Sequence, residues 1–217
     1  MSKALLLGAT GLVGSFCLEF LLKSEYFSSV EIWVRNSTGI THPKLIEKII
    51  NFDAITSFNK TDASHVFCCL GTTIKAAGSQ AEFCKVDFTY VTELAKLAEC
   101  SGCLFFSMVS SIGANKLSSI FYLKTKGEAE YFISNCNISS IYILRPSFLI
   151  GKRKKIRLAE SVGGFFIKIF GVFLVGKLKK YKGINASDVA GAMVFFSQHC
   201  KNGINIIESD KINQHSR

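Results

Sequence analysis

"KALLLGATGLVGSFCLEFLLK", residues 3–23, runs an unbroken apolar stretch into three glycines spaced three apart and then into a helical pattern. The strand signal stops at Gly8 and helical periodicity starts at Leu12, so the glycines fall in the turn between the two. In α/β proteins such a turn holds phosphate, because free N–H groups at the helix start face the negative charge. Gly8 would permit the tight turn, Gly11 the approach of backbone to a phosphate, and Gly14 close packing of helix on strand. Thr10, Leu12 and Val13 are the other candidate cofactor contacts in this loop. The spacing is GxxGxxG rather than GxGxxG, and the competing reading is a turn that only packs.

A secretory signal needs an uninterrupted apolar core. Three glycines and Glu19 break this one. Most of the eight cysteines lie inside apolar runs such as "VFCCL", as small buried hydrophobes do. Cys100 and Cys103 have redox or half-zinc spacing without a second pair, and the histidines at 42, 65, 199 and 215 have no metal-ligand spacing. The expectation is a cytoplasmic protein with reduced thiols and no metal. A serine-hydrolase elbow and a P-loop are both missing.

Apolar runs alternate with helical periodicity almost to the end. Strands are predicted at 3–7, 30–34, 45–50, 65–70, 104–109, 140–144 and 204–207, and helices at 12–23, 80–99, 122–135, 158–176 and 187–199. The strands are apolar on both faces, as in a parallel sheet covered by helices on each side. This order predicts a doubly wound, mostly parallel α/β sheet of the Rossmann type with a short C-terminal helical appendage. A single domain over residues 1–217 is expected from the length and the lack of linker composition.

In such a sheet the second strand ends beside the adenosine ribose. Here it ends "WVRNS", offering Arg35 and Asn36 and no acid. A guanidinium matches a 2′-phosphate bidentately, which favours NADP(H) over NAD(H). The alternative is an ordinary solvated arginine. Phe52 and Asp53, after the third strand, are placed to contact adenine.

"VSSIGANKLSSIFYLKTKGEAE", residues 109–130, carries the chemistry. Ser110 and Ser111 close the fifth strand, and either is a candidate orienting hydroxyl. Tyr122 and Lys126 are four apart, on one face of a helix. A phenol with a pKa of roughly 10 needs help to exchange protons near neutrality. A neighbouring ammonium supplies it by favouring the phenolate.

The set Gly8, Gly11, Gly14, "VSS" at 109–111 and Tyr122-x-x-x-Lys126 resembles the short-chain dehydrogenase/reductase superfamily in its atypical or extended branch. More closely, "CLGTTIKAAGS", "VDFTYVTELAKLAE", "FYLKTKGEAE" and "LRPSFLIG" resemble the Tat-interacting tumour-suppressor oxidoreductase family and its bacterial relatives, from about residue 3 to 150. The resemblance implies an NADP(H)-binding domain acting on a small carbonyl or alcohol. It implies Tyr122 as proton donor or acceptor, Lys126 as ribose holder and Ser111 as orienting hydroxyl. Cys69, Leu70, Gly71 and Thr72 would border the cofactor, Arg145, Pro146 and Ser147 the nicotinamide, and Lys75 the pocket mouth. The chain departs from the extended branch in having only 71 residues after Pro146, too few for a full nucleotide-sugar domain.

Nine of the ten net positive charges fall in residues 151–182, where Phe165, Phe166, Phe170 and Phe173 share a helical face. The segment reads as a pocket-covering or dimer-forming helix, or as one lying on an anionic membrane surface. It is too interrupted to span a bilayer. A nucleic-acid role is the least favoured, for want of a reading element. The expected function is an NADP(H)-dependent oxidoreductase. The alternative is a non-catalytic NADP(H)-sensing or scaffold protein, on the membrane surface or off it.

Overall fold

The computed structural model describes residues 2–151 and 182–215. The chain runs β1 (Ser2–Leu7), α1 (Leu12–Lys23), β2 (Phe27–Val34), β3 (Leu45–Ile49), a 3-10 turn (Phe52–Ser57), β4 (His65–Cys68), α2 (Ile74–Ala77) and α3 (Gln80–Cys84). It continues with a π-turn (Lys85–Thr89), α4 (Tyr90–Cys100), β5 (Phe105–Val109), α5 (Phe121–Ser134), β6 (Ser140–Arg145) and β7 (Leu149–Ile150). β8 (Ile184–Asn185), α6 (Ala186–Gln198), β9 (Gly203–Glu208) and a short α7 (Ser209–Ile212) complete the described elements. Seven strands pair in the order β3-β2-β1-β4-β5-β6-β9, all parallel, and β7 pairs with β8 in a separate ribbon. This is the doubly wound sheet that the alternation of elements predicts.

Because side chains alternate along a strand, each central strand feeds two cores. Ala4, Leu6, Phe67 and Phe105 pack with Cys17, Leu21, Val189 and Met193 of α1 and α6. Leu5, Leu7, Val66, Phe106 and Met108 pack with Leu94, Ala98, Ala129 and Ile133 of α4 and α5 on the other side. The strand order reverses between β1 and β4, and ligands of open α/β sheets bind at that reversal, beyond the carboxyl ends of the strands.

Three sequence expectations need correction. The runs at 45–50 and 204–207 look two-sided but form the sheet edges, where Ile46, Ile49, Ile204 and Ile206 are exposed. Apolar composition alone does not separate a central from an edge strand. The run at 65–70 leaves the sheet after Cys68, since the chain turns there against Gly8. The helix expected over 80–99 is broken by the π-turn. The helix expected at 158–176 lies outside the described residues, and no helix among the described residues is long and apolar enough to cross a membrane.

The turn after β1 depends on two glycines. Gly8 has φ +84°, and a Cβ there would lie 2.4 Å from the Cys69 carbonyl oxygen. A Cβ on Gly14 would lie 2.0 Å from the Gly8 carbonyl oxygen. Gly14→Ala should therefore destabilise the protein by about 3 kcal/mol, the upper end for overpacking. Gly102→Ala, where φ is +67° with open space around it, should cost only about 1 kcal/mol of left-handed strain. Urea denaturation of the two variants checks the contrast.

Candidate functional site

The Gly11 N–H donates to the Gly8 carbonyl at 2.8 Å, closing the loop that leads into α1. No side chain caps α1, so its first N–H groups remain for an anion. The tight turn fits a dinucleotide's pyrophosphate: side chains at residues 8 and 14 would strike the Cys69 and Gly8 carbonyls, and glycine lets the chain turn closely enough to present the helix start. Thr10 is exposed at its rim, Leu12 is half-buried and Val13 is buried beneath.

Arg35 and Asn36 project, exposed, from the end of β2. The linear reading missed an acid here. Glu47 of β3 accepts from Ser37 Oγ at 2.6 Å, from the Thr38 N–H at 2.9 Å and from the Thr38 hydroxyl. The Ser37 and then the Thr38 bonds hold its carboxyl below the ordinary value. Its lone pairs are thus spent on fixing the loop after Asn36. Phe52 is buried, with its ring 5.6 Å from Tyr90. Asp53 pairs with Lys85 at 2.7 Å and accepts from the Tyr90 hydroxyl, and those two bonds lower its pKa.

Beyond β4, the Cys69 N–H bonds the Leu7 carbonyl at 2.9 Å and fastens this strand end to β1. Cys69 and Leu70 are half-buried and Gly71 exposed. The Thr72 N–H donates at 2.8 Å to Asp87 Oδ2. Asp87 sits in the π-turn, wholly buried, with its Oδ1 2.7 Å from Lys126 Nζ, whose side chain is only 5% exposed. Lys126 belongs to α5, one turn after Tyr122, whose ring lies 5.6 Å from Phe83 of α3. Burial lowers the Lys126 pKa, but the Asp87 and Tyr122 oxygens outweigh it and the net shift is upward. Burial likewise raises Asp87, opposed by the lysine and the Thr72 N–H. Lys75 is exposed on α2.

The two serines differ. The Ser110 hydroxyl donates to Glu130 Oε1. Glu130 also takes Arg145 Nε at 3.0 and 3.2 Å on its two oxygens. Among the described residues, Ser111 Oγ has only the neighbouring Ile112 carbonyl, at 3.3 Å. Arg145, expected beside the nicotinamide, has its guanidinium committed to Glu130, and that bond raises its pKa. The Pro146 carbonyl accepts from the Ile112 N–H at 2.9 Å, joining the loops after β5 and β6. The Ser147 N–H bonds Ser209 Oγ at 2.7 Å and its hydroxyl bonds the Lys182 carbonyl.

Asp87, Glu130 and Glu47 were not singled out in the sequence. Glu130 was open to detection: Tyr122, Lys126 and Glu130 repeat at four, so all three share one face of α5. A lone acid inside the apolar run "FCKVDFTYV" was the only signal for Asp87. Of the CxxC pair, Cys100 is exposed while Cys103 is buried with its thiol on the Ala63 carbonyl at 3.0 Å.

The sheet is that of a doubly wound α/β protein, and solved structures agree on the fold. MoeE5 in complex with UDP-glucose and NAD matches 99% of this chain and 80% of its own, with TM-score 0.69 at 16% identity. The oxidoreductase ylbE from Lactococcus lactis matches 98% of this chain and 95% of its own, with TM-score 0.66 at 14% identity. The chain thus shares the fold of these two proteins.

No family model matches the chain. Among curated proteins, Protein HTATIP2 of Rattus norvegicus is 32% identical over 160 residues, covering 71% of this chain and 66% of that protein, just under two thirds. FMP52-1, mitochondrial, of Scheffersomyces stipitis is 39% identical over 156 residues, covering 70% and 69%. FMP52, mitochondrial, of Candida albicans is 32% identical over 209 residues, covering 91% and 89%. The protein belongs to the HTATIP2/FMP52 family, the Tat-interacting family its motifs resemble. The cytoplasmic expectation is corrected by the FMP52 relatives, which are named as mitochondrial. Free thiols argue only against an oxidising compartment, and never singled out the cytoplasm.

The Glu130–Arg145 pair is open to a direct test. Arg145→Met strands a buried carboxylate and should cost about 3 kcal/mol, the low end for breaking a buried pair, because the arginine is 21% exposed. Adding Glu130→Met should recover most of that loss. Chemical denaturation of the wild type, the single and the double variant measures both steps.

Proposed function

We propose that the protein is an NADP(H)-dependent oxidoreductase that reduces a small carbonyl compound or oxidises the matching alcohol. The observation that carries this reading is the stacking of Tyr122 and Lys126 one turn apart on α5. The turn after β4 lies between them and the glycine loop: a Cβ on Gly71 would stand 3.6 Å from Lys126 Nζ, and one on Gly8 would stand 2.4 Å from the Cys69 carbonyl oxygen. Bound there, the cofactor supplies or accepts the hydride. The N–H groups of Leu12 and Val13 at the start of α1 bind the pyrophosphate, and Phe52 with the backbone at Asp53 flanks the adenine. Arg35 and Asn36 grip the 2′-phosphate, with Glu47 holding their loop in place. Leu70, Gly71 and Thr72 wall the pocket, and Lys126 holds the nicotinamide ribose.

Tyr122 gives its phenolic proton to the carbonyl oxygen during reduction and takes it back in the reverse direction. The Lys126 ammonium stabilises the phenolate left behind. Ser111 orients the carbonyl, because the Ser110 hydroxyl is engaged by Glu130. Arg145, Pro146 and Ser147 form the wall behind the reacting carbon, joined to the β5 loop and to α7. The names of the FMP52 relatives support a mitochondrial site of action for this chain.

Trp33 lies buried on β2 two residues before Arg35, its ring 4.5 Å from that of Phe58 and tilted 37° to it, and serves as an internal reporter. Titration followed by Trp33 fluorescence and thermal shift should give saturable NADPH binding clearly tighter than NADH. Arg35→Ala should weaken NADPH about tenfold, the loss expected of a charge-assisted contact, and leave NADH unchanged. Tyr122→Phe should bind NADPH normally and lower carbonyl reduction at least about 100-fold. Binding without turnover of any carbonyl would favour the cofactor-sensing reading, and no binding of either nucleotide would sink both.

A further inference from the structure

The Lys126–Asp87 pair poses a question that the tyrosine–lysine reading leaves open. A lysine with 5% of its side chain exposed should not stay charged by itself, since burial favours the neutral amine. Yet only as an ammonium can it stabilise a phenolate. The charged and titratable groups facing Lys126 come from three elements: Asp87 from the π-turn, Tyr122 from α5 and Cys68 from β4. The Cys68 thiol, pushed up to about 12 by burial, is neutral at working pH. Glu130, the next residue on the same helical face, is taken by Ser110 and Arg145. Asp87 is therefore the compensating charge.

Several features hold that carboxylate in place. The π-turn, bonded i→i+5, is wider than an α turn and sets Asp87 inward between the buried Phe83 and Val91. The Thr72 N–H fixes Oδ2. Gly71 lies over the pair: a Cβ there would stand 3.5 Å from Asp87 Oδ1 and 3.6 Å from Lys126 Nζ. The backbone strip proposed to wall the cofactor pocket is thus laid directly on the ion pair.

We propose that Asp87 is the positioning residue of this site, a buried carboxylate that keeps Lys126 a fixed ammonium beside Tyr122. The role rests on the tyrosine–lysine reading above. Its first test does not. The Lys126 13Cε resonance, assigned by its loss in Lys126→Met, reports the charge of Nζ in the protein without nucleotide. In the wild type it should remain that of an ammonium past pH 10. In Asp87→Asn it should titrate with a midpoint at least one pH unit lower, and Asp87→Glu should restore wild-type behaviour. Asp87→Ser is the second uncharged variant, should the asparagine form fail to fold. A wild-type resonance titrating below pH 9, or an uncharged variant that titrates like the wild type, overturns the proposal.

NADPH affinity then links the charge to the site. Wild type should bind equally at pH 7 and 9, while Asp87→Asn should lose about tenfold over that interval as Lys126 deprotonates. A purely structural Asp87 would change affinity by the same factor at both pH values, which would overturn the proposal. If the resonances behave as expected but wild type binds no NADPH, Asp87 still keeps Lys126 charged and the oxidoreductase reading alone fails.

Discussion

The contact on which the rest of the molecule depends is between two pieces of backbone, Gly14 of α1 and the carbonyl of Gly8. With a side chain at residue 14 the helix could not lie so close to the end of β1. With one at residue 8, β1 could not turn against the Cys69 carbonyl of the neighbouring strand. Both contacts fall where the sheet reverses direction, so the same glycines that let α1 cover the β1–β2 side also leave an open, uncapped helix start at the reversal. Packing sets this geometry, and the proposed anion site would use the same one. The alternatives weighed from the sequence, a phosphate loop or a turn that packs, are two uses of one geometry.

The second organising feature is α5. Tyr122, Lys126 and Glu130 lie along one face, and each of the two charged members meets an opposite charge from a different element: Asp87 from the π-turn and Arg145 from β6. Buried ion pairs add little net stability, because desolvation offsets much of the attraction. Their effect is positional. The Arg145 pair ties Ser110 and the end of β6 to the helix, and the Lys126 pair ties the turn after β4 to it. Gly127 completes the attachment: a Cβ there would lie 2.2 Å from the Asn115 backbone, so the loop after β5 packs directly on α5. Both ends of the helical face are thus fixed to the carboxyl ends of β4, β5 and β6.

The sequence made the sheet legible because the central strands carry uninterrupted apolar runs and the glycine spacing is local. β1, β4, β5 and β6 were all legible in this way. The edge strands were not distinguished, because Ile46 and Ile204 look like core until the pairing order is known. Within the site, motif residues four apart on one helix could be read directly. Partners that meet across elements could not. Asp87 and Lys126 are separated by 39 positions, and only the packing of the π-turn against α5 brings them together.

The same limit applies at the adenosine end. "WVRNS" reads as a basic strand end without an acid, and along the chain that is correct. In the folded sheet β3 runs beside β2, so Glu47 comes to lie against Ser37 and Thr38. A free carboxylate at that place would repel a 2′-phosphate and favour a 2′-hydroxyl. This one already accepts three hydrogen bonds from the loop itself, so it is better suited to fixing the loop than to receiving a ribose. Arg35 has no ion-pair partner among the described residues and remains open to an anion. On the proposed NADP(H) reading, the charge that would discriminate the two nucleotides is the arginine, and the acid beside it would act through backbone position.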